Sequence, residues 1–79
     1  MNHNGSLYVI VNELYINQIL TFDSHFFNKF KETVSDCSKI TTLNFYKCRC
    51  VESEYENLSS FISLFSLEKI VIDWCDFDI

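Results

Sequence analysis

Hydrophobic and polar residues alternate along three segments of the chain, and a period of two is typical of half-buried β-strands. The segments cover residues 7–16, 43–46 and 70–73. Each is rich in β-branched or aromatic side chains, which strands favour. The pattern therefore predicts three strands, with intervals of a different character between them.

Both intervals between the predicted strands carry apolar residues spaced three and four apart, which is the period of an amphipathic helix. The polar break at residues 21–24 offers Asp23 or Ser24 as the N-cap of the first helix. In the second interval Ser53 and Glu56 have the spacing of a capping box. The predicted apolar stripes are Phe26, Phe27, Phe30, Val34 and Cys37 in the first helix and Leu58, Phe61, Ile62 and Phe65 in the second.

The second and third strand segments match position by position. The residues Ile40, Leu43, Phe45, Cys48 and Cys50 are followed 27 residues later by Leu67, Ile70, Ile72, Cys75 and Phe77. A weaker first copy precedes the second by 29 residues and consists of Val11, Leu14, Ile16 and Ile19. Units that recur at a nearly fixed interval indicate a stacked repeat, because one strand and one helix cannot bury their apolar faces alone.

The second copy, Ile40-x-x-Leu43-x-Phe45-x-x-Cys48-x-Cys50, resembles the leucine-rich-repeat consensus L-x-x-L-x-L-x-x-N/C-x-L. Its repeat length and its cysteine are similar to those of the ribonuclease-inhibitor-like and cysteine-containing subclasses. The resemblance implies an α/β fold, a leucine-rich-repeat-like solenoid of about three strand–helix units with a short parallel sheet. It also implies that Cys48 and Cys75 point inward at the turn after each strand. The first copy departs from the consensus, with Ile19 at the Asn/Cys position.

This interpretation divides the chain into a disordered lead-in, residues 1–6, and a single repeat domain, residues 7–79. The repeat units cover about 7–38, 39–65 and 66–79, and the last lacks a helix after its strand. Terminal repeats normally need polar caps. We therefore expect a fragment of a larger array, or an open strand edge that a partner or a second copy covers.

Composition and charge narrow the functional classes. Hydrophobic residues make up 48% of the 79 residues, which is enough to form a core. The chain carries eleven acidic and six basic residues, and the basic ones are scattered singly, so we expect no nucleic-acid partner and no membrane-surface helix. The apolar run at residues 7–11 is too short for a transmembrane helix and lacks the basic start of a secretory signal. These features predict a cytoplasmic or nuclear protein.

The four cysteines raise the alternative of a small zinc-binding domain. No C-x-x-C pair is present, although structural zinc sites usually place ligands two to four residues apart. Every cysteine already has a position in the predicted core. We therefore expect buried free thiols without metal, disulfide or cofactor at Cys37, Cys48, Cys50 and Cys75.

An enzyme is not expected. A nucleophile needs a base within hydrogen-bond reach, and His25, near a helix start, is expected to face solvent. Gly5 is the single glycine, so no glycine-rich phosphate loop can form. The acidic side chains of Asp73, Asp76 and residues 52–56 fit solvated turns and a helix start, where the helix dipole favours them.

The strand residues that point away from the helices form the candidate binding site. In leucine-rich-repeat proteins the strands line a concave face where partners bind, and the resemblance implies the same here. The outward positions are Glu13, Tyr15, Asn17, Gln18, Thr42, Asn44, Tyr46, Lys47, Lys69, Val71, Asp73 and Trp74. The predicted contact residues among them are Tyr15, Asn44, Tyr46, Lys47, Val71, Asp73 and Trp74. Aromatic side chains dominate binding hot spots, although they also pair across strands simply to shield a sheet.

The sequence therefore predicts a protein–protein interaction module that binds a protein partner through its concave strand face. A structural module that self-associates through its open strand edge is the first alternative. The small zinc-binding domain is the second.

Overall fold

The computed structural model describes residues 5–79. These residues form an α/β structure with one four-stranded sheet and two α-helices, so the predicted fold class is confirmed at that level. The strands are β1 (Ser6–Ile10), β2 (Glu13–Asn17), β3 (Thr42–Tyr46) and β4 (Lys69–Asp73), and the helices are α1 (Ser24–Thr33) and α2 (Tyr55–Ile62). Short 3₁₀ turns lie at Cys37–Lys39 and Glu52–Glu54. Most of the expected lead-in, residues 1–4, lies outside the described residues, and Ser6 already belongs to β1.

The strands lie in the order β1-β2-β3-β4. The pair β1–β2 is antiparallel, whereas β2–β3 and β3–β4 are parallel. Leu14 pairs with Leu43, which pairs with Ile70, and the next inward row is Ile16, Phe45 and Ile72. These are the partners that the intervals of 29 and 27 residues predict, so the predicted strand register is confirmed.

The prediction of a single strand across residues 7–16 is wrong. The chain reverses at Val11 and Asn12, and Ile10 pairs with Glu13 in an antiparallel hairpin. Val11 has a φ of 57°, in the left-handed region that β-branched residues rarely adopt. Asn12 fixes the turn to the next unit, because its Nδ2 donates to Thr41 Oγ1 at 2.8 Å and its carbonyl accepts from the Thr41 N–H at 3.0 Å.

Both helices pack on one face of the sheet and share one core with it. The most deeply buried side chains are Phe22, Phe26, Phe45, Phe61, Leu14, Ile16 and Leu43. The Phe61 ring contacts Phe26, Phe30 and Phe65 edge to face, with ring centres 5.1, 5.0 and 5.2 Å apart. Such pairs contribute about 0.5–1.5 kcal/mol each beyond the apolar area they bury. Phenylalanine therefore fills the core where the repeat consensus has leucine.

Helix α1 begins as predicted, with Asp23 as its N-cap: the carboxylate accepts a hydrogen bond from the Phe26 N–H at 3.2 Å. The predicted stripe runs past the end of the helix. Val34 is the C-cap, in an extended conformation, and Cys37 lies in the following 3₁₀ turn. Val34 is nevertheless buried, while Phe27 and Cys37 are half-buried.

The capping box predicted at Ser53 and Glu56 is wrong. Ser53 lies in a 3₁₀ turn, and α2 starts at Tyr55 without a side-chain cap. The preceding carboxylate has a different role: Glu54 Oε1 accepts from the Phe22 N–H at 3.0 Å, and Asn57 Nδ2 donates to the Phe22 carbonyl at 2.8 Å. The start of α2 therefore holds the segment that leads into α1. Phe65, assigned to the α2 stripe, follows the end of that helix.

We predict that Asp23→Ala lowers the free energy of unfolding by about 0.5–2 kcal/mol, because a helix start loses its cap. Asp23→Asn should keep most of that stability near neutral pH. Burial alone would raise the pKa of Asp23, but hydrogen bonds from Phe26 and Thr21 outweigh it and hold the pKa below the ordinary 3.8. The charge contribution is thus present above that value and lost as the pH falls through the lowered pKa.

Urea denaturation followed by far-UV circular dichroism measures both variants at neutral and at acid pH. Equal unfolding free energies for Asp23→Ala and the unsubstituted protein would contradict the assigned cap.

Candidate binding face on the strands

The residue after each parallel strand has the same unusual backbone conformation. Gln18, Lys47 and Trp74 follow β2, β3 and β4 with φ of 55°, 53° and 56°. The Gln18 N–H donates to the Tyr46 carbonyl at 2.8 Å, and the Lys47 N–H donates to the Asp73 carbonyl at 3.0 Å. The turns therefore extend the sheet ladder by one bond and then redirect the chain toward the helices.

Backbone hydrogen bonds also repeat just before and just after the strands. Residues at equivalent positions donate to the preceding unit in every case. The bonds are Thr41 N–H to the Asn12 carbonyl (3.0 Å), Glu68 N–H to the Thr41 carbonyl (2.8 Å), Arg49 N–H to the Ile19 carbonyl (2.8 Å) and Asp76 N–H to the Cys48 carbonyl (3.3 Å). The sequence repeat thus corresponds to a repeat in backbone hydrogen bonding.

Cys48 and Cys75 occupy the inner side of these turns. The Cys48 thiol donates to the Ile16 carbonyl at 3.2 Å, and the Cys48 N–H donates to Cys75 Sγ at 3.3 Å. Cys75 in turn donates to the Asp73 carbonyl at 3.4 Å. Burial raises the pKa of the Cys48 thiol to about 11, although a backbone hydrogen bond with Ile19 opposes the shift.

All four cysteines are free thiols, but they are not equally buried. Cys48 and Cys50 are buried as predicted, whereas Cys37 and Cys75 are only half-buried. Cys75 is less covered because β4 is the outermost strand of the described sheet. Within residues 5–79, no group of three or more His, Cys, Asp or Glu side chains is placed to hold a metal ion.

The outward strand residues form rows across the sheet on the side opposite the helices. Tyr15, Asn44 and Val71 are register partners in one row, and Asn17, Tyr46 and Asp73 form the next. None of these side chains is buried. Together with Tyr8 and Phe45 they line an open depression with a volume of about 420 Å³. We call it the strand face.

Tyr8 is the member of the strand face that the sequence did not reveal. Its ring stacks on Tyr15 with centres 4.9 Å apart and an angle of 8° between the planes. The hairpin creates this contact, because it pairs Tyr8 with Tyr15 across two strands. The only sequence signal is the polar break at residues 12–13 inside an otherwise alternating segment.

The polar groups of the strand face are already partly ordered. Asn44 Nδ2 donates to Glu13 Oε1 at 3.3 Å, which fixes the amide beside the Tyr15 ring. Partial burial raises the pKa of Tyr15, and the nearby Glu13 carboxylate adds to the shift. The phenol therefore stays neutral and able to donate a hydrogen bond throughout the physiological range.

Lys47 and Trp74 lie at the end of the strands, outside the residues that line the depression. Lys47 Nζ lies 5.3 Å from the centre of the Tyr46 ring, within the range of a cation–π contact. Trp74 is 80% exposed. The structure thus brings Tyr15, Asn44, Tyr46, Val71 and Asp73 into one depression, with Lys47 and Trp74 in the turns that border it.

No protein-family model matches this chain, and no curated protein or solved structure matches it either. Among residues 5–79, no helix has the length and apolar character needed to cross a membrane.

We predict that Cys48 is the slowest thiol to be alkylated in the native protein. Its raised pKa makes the thiolate about a hundredfold rarer at neutral pH than for a thiol with the ordinary value, and burial slows reagent access further. Timed iodoacetamide labelling with peptide mass spectrometry measures the order. Cys37 and Cys75 should react first, and all four rates should converge in urea. Fast native labelling of Cys48 would contradict the inward thiol.

Proposed function

We propose that this chain is a leucine-rich-repeat-type interaction module that binds a protein partner through its strand face. Support for the repeat type comes from the parallel register and from the identical turns at Gln18, Lys47 and Trp74. The hydrogen-bonded thiols at Cys48 and Cys75 support it as well, because they occupy the Asn/Cys position of the consensus.

The observation that carries the proposal is Trp74, a large aromatic side chain exposed where local structure does not require it. Its φ of 56° would be less strained in glycine. Its side chain is 80% exposed, so it contributes little to the core. A strained backbone and a solvated indole both oppose folding, and such residues concentrate at sites of function. Tryptophan is also strongly enriched in binding hot spots.

The strand face next to Trp74 has the chemistry of a protein-binding surface. The stacked Tyr8–Tyr15 pair and Tyr46 offer aromatic area whose order costs little additional entropy on binding. The amide side chains of Asn17 and Asn44 supply hydrogen-bonding groups between the rings. Basic residues are few and the net charge is −5, so the surface favours a polypeptide over a nucleic acid.

A cytoplasmic or nuclear location is part of the proposal. All four cysteines are free thiols, which is the state that a reducing compartment maintains.

We predict that the double substitution Tyr46→Ala and Trp74→Ala removes most partner binding. Hot-spot aromatics typically contribute about 2 kcal/mol or more each, which corresponds to at least a thirtyfold weaker complex per residue. The test compares proteins retained from an extract of the source cells by the unsubstituted chain and by the variant. Proteins lost with the variant are then titrated by calorimetry.

Tyr55→Ala is the matched control, since Tyr55 is an exposed aromatic on α2, away from the strand face. It should retain every protein that the unsubstituted chain retains. Melting temperatures should agree within a few degrees for all variants, as expected for exposed positions. Unchanged retention by the double variant would contradict the proposal, and a large drop in its melting temperature would show that the two rings stabilise the fold instead.

A further inference from the structure

Strand β4 forms the outer edge of the described sheet and presents backbone groups there. The Lys69 N–H donates to the Thr41 carbonyl at 3.2 Å, and the Asp73 carbonyl accepts from the Lys47 N–H at 3.0 Å. Alternate residues of a strand direct their backbone groups to opposite sides. The groups of Lys69, Val71 and Asp73 therefore face β3, and those of Ile70 and Ile72 face the open edge.

The same edge leaves apolar side chains incompletely covered. Leu14 and Leu43 are fully buried, but their register partner Ile70 is only half-buried. Ile16 and Phe45 are likewise buried, while Ile72 is not. A groove of about 300 Å³ lies between α2 and residues 77–79, with Tyr55 and Ile79 each more than half exposed on its rim. An edge with free backbone groups beside an apolar groove is a template for a further strand.

Charges on β4 indicate what that further strand is. The strand reads Lys69-Ile-Val-Ile-Asp73, with opposite charges at its two ends and Val71 at its centre. An antiparallel copy of the same strand places each lysine opposite an aspartate. A parallel copy in the same register would place like charges together. The other edge strand, β1, reads SLYVI and carries no charge that could select a partner.

We propose that β4 pairs with β4 of a second copy of this chain, antiparallel, about a two-fold axis at Val71. Ile70 of each copy lies opposite Ile72 of the other, and these pairs use the outward backbone groups. Lys69 opposite Asp73 then falls at a position without backbone hydrogen bonds, where side chains approach most closely. The two sheets become continuous. This inference does not rest on the proposed partner binding.

Sedimentation equilibrium of the full chain across a concentration range tests the pairing. The mass should rise from the 9.4 kDa monomer to twice that value. Lys69→Glu and Asp73→Lys should each raise the dimer dissociation constant at least tenfold, because each places like charges opposite one another twice. An equimolar mixture of the two variants should dimerise again, since every cross-strand pair is then of opposite charge.

Lys31→Glu provides the matched control, with the same change in net charge on an exposed residue of α1. Its dimer dissociation constant should remain within threefold of the unsubstituted value. Far-UV circular dichroism confirms that all variants are folded. A chain that stays monomeric at every concentration overturns the proposal. It is equally overturned if the variants dimerise normally, or if their mixture fails to recover association.

Discussion

The parallel pairing of β2, β3 and β4 in one register is the constraint on which the rest of the molecule depends. It places Leu14, Leu43 and Ile70 side by side under the helices, with a second inward row one step further along. A shift of one residue would turn every one of these side chains to solvent. The register is therefore strongly specified by burial, and the turns, the thiol positions and the outward face follow from it.

Equivalent turns follow because each strand must end at the same place and send the chain back to the helix layer. With a single glycine in the sequence, Gln18, Lys47 and Trp74 adopt the left-handed conformation instead. This conformation costs about 1–2 kcal/mol per residue. Backbone hydrogen bonds to the neighbouring unit and the inward thiol of Cys48 offset that cost. A compact phenylalanine core stabilises the small domain from the other side of the sheet.

The sheet offers two surfaces with different chemistry. On the strand face, the ladder already uses the backbone groups of the inner strands, so recognition there depends on side chains such as Tyr15 and Tyr46. At the β4 edge, the groups of Ile70 and Ile72 point outward, so recognition there depends on the backbone, with Lys69 and Asp73 selecting orientation. Partner binding and self-association can thus occur on one molecule without competing for the same atoms.

The sequence by itself determined the features that depend on local period and interval: the parallel strands, their register, the Asp23 cap and the set of outward residues. Tertiary structure decided the features that depend on distant contacts. The alternating pattern continues through the β1–β2 turn, so only the pairing of Tyr8 with Tyr15 shows a hairpin. Glu54 bonds to Phe22, 32 residues earlier in the chain, instead of closing a cap box. Such contacts leave no periodic trace, because spacing along the chain records only near neighbours.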